Sequence, residues 1–259
     1  MKIAMSSVCL WGTELSEIIH FAGSAGFDGL EVWIEQLGSK PDTALVRYLA
    51  EDQGLSLFAH AASWDLNLCS HNNALRNTSL GETKRSIDLA RELEAENITI
   101  HPGRMGSPVF DKAFYLGLMT ESLAEICRYA SETGMTVSLE LMEKIRREFV
   151  TNPEVMNILL NAVSPLACAV TLDSAHLDSA EMFFEYFSAL PLTDKIHLSN
   201  RQGDNYHTPV FSGDINMIRI LEMLEGKNLP VVIEGTGSSR EELAWTLRHI
   251  RSLLKQKVA

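Results

Sequence analysis

The segment Val170-Thr171-Leu172-Asp173-Ser174-Ala175-His176 decides the fold, because an apolar run typical of a buried strand stops in it at an aspartate and then a histidine. Parallel α/β folds keep their chemical groups at the carboxyl ends of strands. Asp173 and His176 are therefore candidate functional residues. The same pattern recurs in other short apolar runs, which end at His60, His101, Glu140, His197 and Glu234.

Strand-like runs alternate with helix-like segments along the whole sequence. This alternation predicts a parallel sheet, and eight repeats in 259 residues predict an α/β fold, a (β/α)8 TIM barrel formed by residues 1–259 as a single domain. An open doubly wound sheet is the alternative, but the sequence lacks its glycine-rich phosphate-binding turn. The predicted strands are 2–7, 30–34, 55–61, 97–101, 136–141, 166–172, 195–198 and 230–233. The predicted helices include 41–53, 79–94, 113–133, 153–162, 181–190, 215–225 and 240–255.

The charge, the cysteines and the apolar stretches of the sequence exclude several classes of protein. The formal net charge of −12 argues against nucleic acid and anionic membranes as partners, since both require a basic face. The four cysteines are scattered and form no C-x-x-C pair, which is typical of reduced structural thiols. The sequence shows neither a signal-peptide pattern nor an apolar stretch of the roughly 18 residues that a membrane span needs. We expect a soluble cytoplasmic protein with no membrane partner.

Four candidate ligands follow the last four predicted strands, which are neighbours around a barrel. Carboxylates and imidazoles at adjacent strand ends can converge on one point of the rim. Three carboxylates and one imidazole form an oxygen-rich set that suits Mn²⁺, Mg²⁺ or Co²⁺, with Zn²⁺ as a further candidate. Without a cation the carboxylates would repel one another and protonate. The alternative is a set of ordinary polar rim residues. The four are Glu140, Asp173, His197 and Glu234.

Further motifs extend this pattern over nearly the whole chain. They are residues 26–32 (GFDGLEV), His60 with 65–68 (DLNL), 101–103 (HPG), Glu140 with 151–154 (TNPE), Asp173 with His176, 197–198 (HL), His207 with 213–215 (GDI), and Glu234. Together they resemble the xylose isomerase-like TIM barrels, a superfamily that includes ketose 3-epimerases, inosose dehydratases and isomerases, dehydroshikimate dehydratases and, more distantly, endonuclease IV of AP endonuclease family 2. By this resemblance the four candidate ligands bind the metal of a sugar isomerase or epimerase. The resemblance also implies that Glu140 and Glu234 form its proton-transfer pair.

Four histidines are candidates for additional metal or substrate contacts: His60, His101, His176 and His207. In endonuclease IV the corresponding positions help to bind three zinc ions. One position departs from that pattern, because Asn205 stands where a carboxylate is expected. The alternative for His60 and His101 is hydrogen bonding at the rim. His176 is expected to donate to a substrate hydroxyl, and its alternative is to orient Asp173.

Arginines and tryptophans after strand ends are candidate substrate contacts. Arg104, Arg146 and Arg201 could bind a carboxylate or phosphate through paired hydrogen bonds, and their alternative is pairing with surface acids. Arg147, next to Glu148, is expected to be an ordinary surface residue. Trp33 and Trp64 could provide apolar faces for a sugar ring or pack between barrel and helices.

These features predict a divalent-metal-dependent isomerase or epimerase. Its substrate would be a small polyhydroxy carbonyl compound, such as a sugar, sugar phosphate or sugar acid, and proton transfer would pass through a metal-stabilised enediolate. The first alternative is a dehydratase of an inosose or dehydroshikimate type. A phosphodiesterase acting on abasic DNA is disfavoured by the negative charge and by Asn205. A non-catalytic binding barrel is disfavoured by the complete carboxylate set. The sequence leaves room for a homo-oligomer.

Overall fold

A closed ring of parallel strands forms the centre of the computed structural model, which describes residues 1–166 and 168–255. Within the ring, strands that follow one another pair side by side, and the last strand pairs with the first. This closure confirms the predicted (β/α)8 TIM barrel. The strands are β1 (Lys2–Ser6), β2 (Gly29–Trp33), β3 (Ser56–His60), β4 (Ile98–Ile100), β5 (Val137–Leu141), β6 (Cys168–Asp173), β7 (Thr193–Leu198), the hairpin strands β8 (Asn200–Gln202) and β9 (Asn205–Thr208), and β10 (Pro230–Ile233).

Helices connect the strands of the ring and cover its outside. None of the helices in the described part of the chain has the length and apolar character that crossing a bilayer requires. The helices are α1 (Leu15–Ala25), α2 (Thr43–Asp52), α3 (Asn73–Glu92), α4 (Lys112–Thr133), α5 (Pro153–Val163), α6 (Ala180–Ala189), α7 (Met217–Leu224) and α8 (Arg240–Lys255), with short 3-10 turns at Ser7–Leu10 and Ile34–Leu37.

Helix α3 begins six residues earlier than the predicted position 79. The Asn72 side chain accepts hydrogen bonds from the backbone N–H groups of Ala74 and Leu75 at 3.0 and 3.4 Å, and so caps the helix. The prediction was wrong here because the first turn of α3 is polar and shows no apolar periodicity. The hairpin of β8 and β9 was also not predicted, since its sequence is largely polar.

The apolar core lies between the helices and the outer faces of the strands. Helix α7 illustrates the pattern, because it buries Met217, Ile220, Leu221 and Leu224, which share one helical face. The inside of the ring is different, since every second residue of a strand points inward and many of these residues are polar. Phe58 packs there with Ala4 and Val232, apart from the main core.

The candidate site residues lie at one end of the ring. His60 and Asp173 are the last residues of β3 and β6, and Glu234 directly follows β10. Glu140 and His197 each lie one residue before the end of their strands. Because the strands are parallel, all of these side chains share the carboxyl-end rim of the barrel.

Candidate metal centre

Glu140, Asp173, His197 and Glu234 form a compact buried group at this rim, referred to below as the four-residue group. One potential ligand atom from each side chain lies within 4.8 Å of the others. His197 is central: its Nδ1 lies 2.5 Å from an oxygen of Glu234, 3.4 Å from Glu140 and 3.9 Å from Asp173. The residues come from β5, β6, β7 and β10, which are consecutive in the ring, so the structure brings together all four predicted ligands.

Each side chain of the four-residue group has one buried atom without a hydrogen-bond partner among the described residues. These atoms are Glu140 Oε2, Asp173 Oδ2, His197 Nδ1 and Glu234 Oε2. The close approach of His197 Nδ1 to Glu234 lacks the geometry of a hydrogen bond, so both atoms count as unpartnered. Buried polar atoms left unpaired are costly and rare in folded proteins. Four side chains with such atoms, grouped at one place on the rim, fit a divalent cation with oxygen and nitrogen ligands.

Charge interactions within the group are strong. Burial, together with the charges of Glu234 and Glu140, raises the pKa of Asp173 to about 7. Burial acts to raise the pKa of the Glu140 carboxyl, but the His197 and His101 imidazoles hold that pKa well below its usual value. Burial acts to lower the pKa of His197, but the surrounding glutamates raise that pKa well above its usual value. This crowding of negative charge favours a bound cation.

Glu31 and Lys195 are functional residues that the sequence reasoning missed. Glu31 is fully buried inside the ring, and its carboxylate lies 3.0 Å from His197 Nε2. Because that carboxylate accepts a hydrogen bond from the Nε2–H group, the Nδ1 lone pair is left to face the four-residue group. Lys195 is also fully buried and donates to Glu31 at 2.5 Å and to Asn97 at 3.0 Å. The only signal in the sequence is that Glu31 interrupts an otherwise apolar strand, and its contacts with His197 and Lys195 appear only in the fold.

Replacing Glu31 by Gln is expected to lower metal affinity about 10- to 100-fold, because the carboxylate that orients His197 is lost. The unfolding free energy should also fall by about 3–5 kcal/mol, since the buried Lys195 ammonium loses its counter-charge. Metal titration of the folded protein and urea unfolding measure these two effects. The matched control is Glu31→Gln with Lys195→Met, which should recover stability but not metal affinity. Wild-type affinity in the single variant would show that Glu31 does not orient His197.

His60 and His101 form a second group with Glu140. His60 Nδ1 donates to the Ala61 carbonyl at 2.9 Å, so its Nε2 lone pair points to the rim. The two Nε2 atoms lie 3.2 Å apart, and His101 Nε2 lies 3.0 Å from Glu140. Trp33 stacks on the His60 ring with 4.0 Å between the ring centroids. The buried Trp33 therefore supports the His60 ring, and a substrate-binding role for Trp33 stays a prediction.

His176 and His207 form a third group with Asp173. His176 Nδ1 donates to the Leu141 carbonyl at 2.7 Å, and its Nε2 lies 3.3 Å from His207 Nε2. His207, in the hairpin, lies 3.6 Å from Asp173. Asn205 is exposed, so the third group has only these three members. The second and third groups each share one carboxylate residue, Glu140 or Asp173, with the four-residue group.

The remaining predicted substrate contacts are distributed over the rim. Trp64 is 53% exposed and lies against Trp11, with 4.4 Å between their ring centroids. Arg201 pairs with Asp178 at 2.7 Å and lies over the Tyr206 ring, so part of its hydrogen-bonding capacity is already used. Arg104 and Arg146 are exposed on the loops after β4 and β5. A substrate-binding role for these side chains stays a prediction.

A parallel barrel with a carboxylate and imidazole group on its rim defines the chain as a TIM barrel with a candidate metal centre. Residues 19–255 match the xylose isomerase-like TIM barrel family. The chain therefore belongs to this family, which confirms the resemblance of its motifs.

Two curated relatives match most of the chain. The uncharacterized protein MJ1311 of Methanocaldococcus jannaschii is 24% identical over 239 residues, covering 87% of this chain and 80% of that protein. A fructoselysine 3-epimerase of Shigella flexneri is 25% identical over 207 residues, covering 73% of this chain and 72% of the enzyme.

Solved structures share the fold over the whole chain. A D-tagatose 3-epimerase-like protein superposes with a TM-score of 0.84 at 23% identity, covering 100% of both chains. D-psicose 3-epimerase from Clostridium cellulolyticum H10, solved with D-tagatose, superposes with a TM-score of 0.82 at 18% identity, covering 98% of this chain and 99% of that one. These likenesses show a common barrel.

Proposed function

We propose that the protein is a divalent-metal-dependent isomerase or epimerase of a small sugar or sugar derivative. One observation carries the proposal: four buried side chains each offer a ligand atom within 4.8 Å of the others, and each also has a buried atom without a hydrogen-bond partner among the described residues. They lie at the carboxyl-end rim, where TIM barrels keep their catalytic groups. The names of the fructoselysine 3-epimerase relative and of the epimerase structures support a sugar substrate.

The four-residue group would hold the ion. Its donors are three carboxylates and one imidazole, for which Mn²⁺, Mg²⁺, Co²⁺ and Zn²⁺ are candidates. When bound, such an ion supplies a Lewis acid that polarises a substrate carbonyl. The histidines of the second and third groups lie beside it, and His101 and His207 are their more exposed members, with 30% and 27% of their side chains accessible. We propose that these two donate hydrogen bonds to substrate hydroxyls.

Glu140 and Glu234 are the proposed acid and base. In the ring order β5, β6, β7 and β10 they come from the two outer strands, so they flank the ligands between them. The imidazole of His197 lowers the pKa of Glu234 against the opposing effect of burial, as it does for Glu140. Both carboxylates therefore start as bases at neutral pH. One removes the proton next to the carbonyl and becomes protonated, and the other takes up a proton from solvent before it returns that proton to the opposite face of the same carbon.

Deuterium uptake from solvent tests the proposal. Purified protein supplied with each candidate ion is incubated in D₂O with ketohexoses, ketose phosphates and inososes, and the products are read by NMR. We expect deuterium at the carbon next to the carbonyl together with the epimer or isomer. Loss of water from the same carbon skeleton would instead establish the dehydratase alternative. No exchange and no elimination with any of these compounds would remove the proposal.

A further inference from the structure

A cavity of 240 Å³ lies between the loops that follow β4 and β5. These are the loops directly after His101 and Glu140, so the cavity lies beside the rim. An adjoining cavity of 310 Å³ shares Met105 and Arg147 with it and extends to Arg104. The wall of the first cavity is formed mainly by Met105, Pro108 and Phe110 on one loop and by Arg146 and Arg147 on the other.

The two loops are fixed to each other and to the barrel. Met105 N–H donates to the Arg147 carbonyl at 2.9 Å. The Tyr115 hydroxyl accepts from the Ser107 N–H at 2.7 Å and donates to the Ser107 carbonyl at 3.0 Å. Arg147 has a φ of 91°, a left-handed conformation that is uncommon for a side chain of this size. Strained backbone of this kind persists where surrounding contacts hold it, and it concentrates at functional sites.

Three guanidinium groups in these cavities lack a carboxylate partner. Across residues 1–166 and 168–255, the side chains of Arg104, Arg146 and Arg147 form neither an ion pair nor a hydrogen bond with the protein. Several arginines elsewhere in this acidic chain, among them Arg47 and Arg251, do pair with carboxylates. Arg147 is therefore not the ordinary paired surface residue that its position beside Glu148 predicts.

Glu143 and Glu148 connect the arginines to the candidate centre. Glu143 lies 3.5 Å from His176 Nε2. Burial and the charge of Glu143 raise the pKa of Glu148 to about 7, while His101, Arg104 and His176 act in the opposite direction. Glu148 therefore interacts electrostatically with both histidines and with Arg104. Glu143 and Glu148 belong to the same loop after β5 as Arg146 and Arg147, so this loop runs from His176 at the rim to the arginine cavity.

We propose that the arginine cavity binds an anionic group, a carboxylate or a phosphate, that the substrate carries on a short carbon stem. Guanidinium groups bind both oxyanions through paired hydrogen bonds. Met105, Pro108 and Phe110 supply the apolar surface for the stem. This inference rests on the proposed function for the rest of the substrate, and it makes the negative charge a determinant of substrate choice.

Binding of small fragments tests the cavity without turnover. Hexanoate, pentyl phosphate and neutral hexan-1-ol are titrated into wild type and into the double variant Arg146→Met with Arg147→Gly, whose glycine accepts the left-handed backbone. We expect at least one anion to bind wild type and to bind the double variant about 10- to 100-fold more weakly, with hexan-1-ol affected little. The stronger of the two anions identifies the group. The matched control is Arg91→Met with Arg128→Met, which removes two exposed helical arginines and should bind like wild type.

Turnover separates failure of this inference from failure of the proposed function. Deuterium uptake into D-fructose and D-fructose 6-phosphate is compared, and for a phosphate site the double variant should raise KM for the phosphate ester alone. Equal anion binding by wild type and the double variant, or no anion binding by either, would overturn the anion site whatever the turnover shows. If the anions bind in an arginine-dependent way but no deuterium is taken up, the anion site is supported and the proposed epimerase chemistry is contradicted.

Discussion

Glu140→Gln and Glu234→Gln are each expected to slow deuterium uptake next to the substrate carbonyl by about 10²- to 10⁴-fold, the usual contribution of a general acid or base. Glutamine keeps the shape of the side chain and one oxygen that can face an ion, but it has no basic site. Both carboxylates are buried among the other candidate ligands, so solvent cannot readily replace them. NMR of the exchanged substrate in D₂O measures the effect.

Metal content must be determined for the same samples, because loss of the ion would also stop the reaction. Glu125→Gln is the matched control, since it makes the same chemical change at a surface glutamate that pairs with Lys84. It should retain the wild-type rate. Wild-type exchange in both Glu140→Gln and Glu234→Gln would show that the proton moves through other groups.

Asp173→Ala is expected to empty the metal centre. Asp173 is fully buried and belongs to both the four-residue group and the third group, so its loss removes a charged ligand from each. For wild type we expect one tightly held divalent ion per chain, because the two flanking groups have only three members and share their carboxylates with the four-residue group. Elemental analysis after extensive dialysis gives the stoichiometry of both proteins.

Asp204→Ala controls for the loss of one acidic charge near the same rim. Asp204 is exposed on the hairpin beside Asn205 and should leave the metal content unchanged. If Asp173→Ala keeps the wild-type stoichiometry, the site is assigned wrongly. Three zinc ions per wild-type chain, together with cleavage of an abasic duplex, would favour the endonuclease alternative.

The barrel could be predicted from sequence because each strand of a parallel sheet is covered on its outer face and therefore contains apolar residues. The hairpin of β8 and β9 could not, since it depends on polar contacts rather than on apolar periodicity. Asn200 holds it in place by donating to the Val210 and Ile215 carbonyls, each at 3.0 Å. The position of His207 depends on this hairpin, so its approach to Asp173 required the structure.

The candidate site was only partly predictable for a related reason. Residues at strand ends stand out as changes from apolar to polar sequence, which is how Glu140 and Asp173 were found. Glu31 lies in the middle of an apolar strand, and its contact with His197 spans the interior of the ring. Similarly, nothing in the sequence shows that Arg146 and Arg147 lack partners, because ion pairing between loops depends on the folded surface.

The position of Glu234 after β10 makes the candidate centre depend on the last strand of the ring. Glu234 directly follows the strand that closes the ring, where Met5 is in register with Ile233. A chain that has emerged only as far as β7 holds three of the four ligands and has no closed barrel. An ion that needs all four residues therefore binds only after β10 has paired with β7. At 100 times its dissociation constant, such an ion would add about 2.7 kcal/mol to the stability of the closed form.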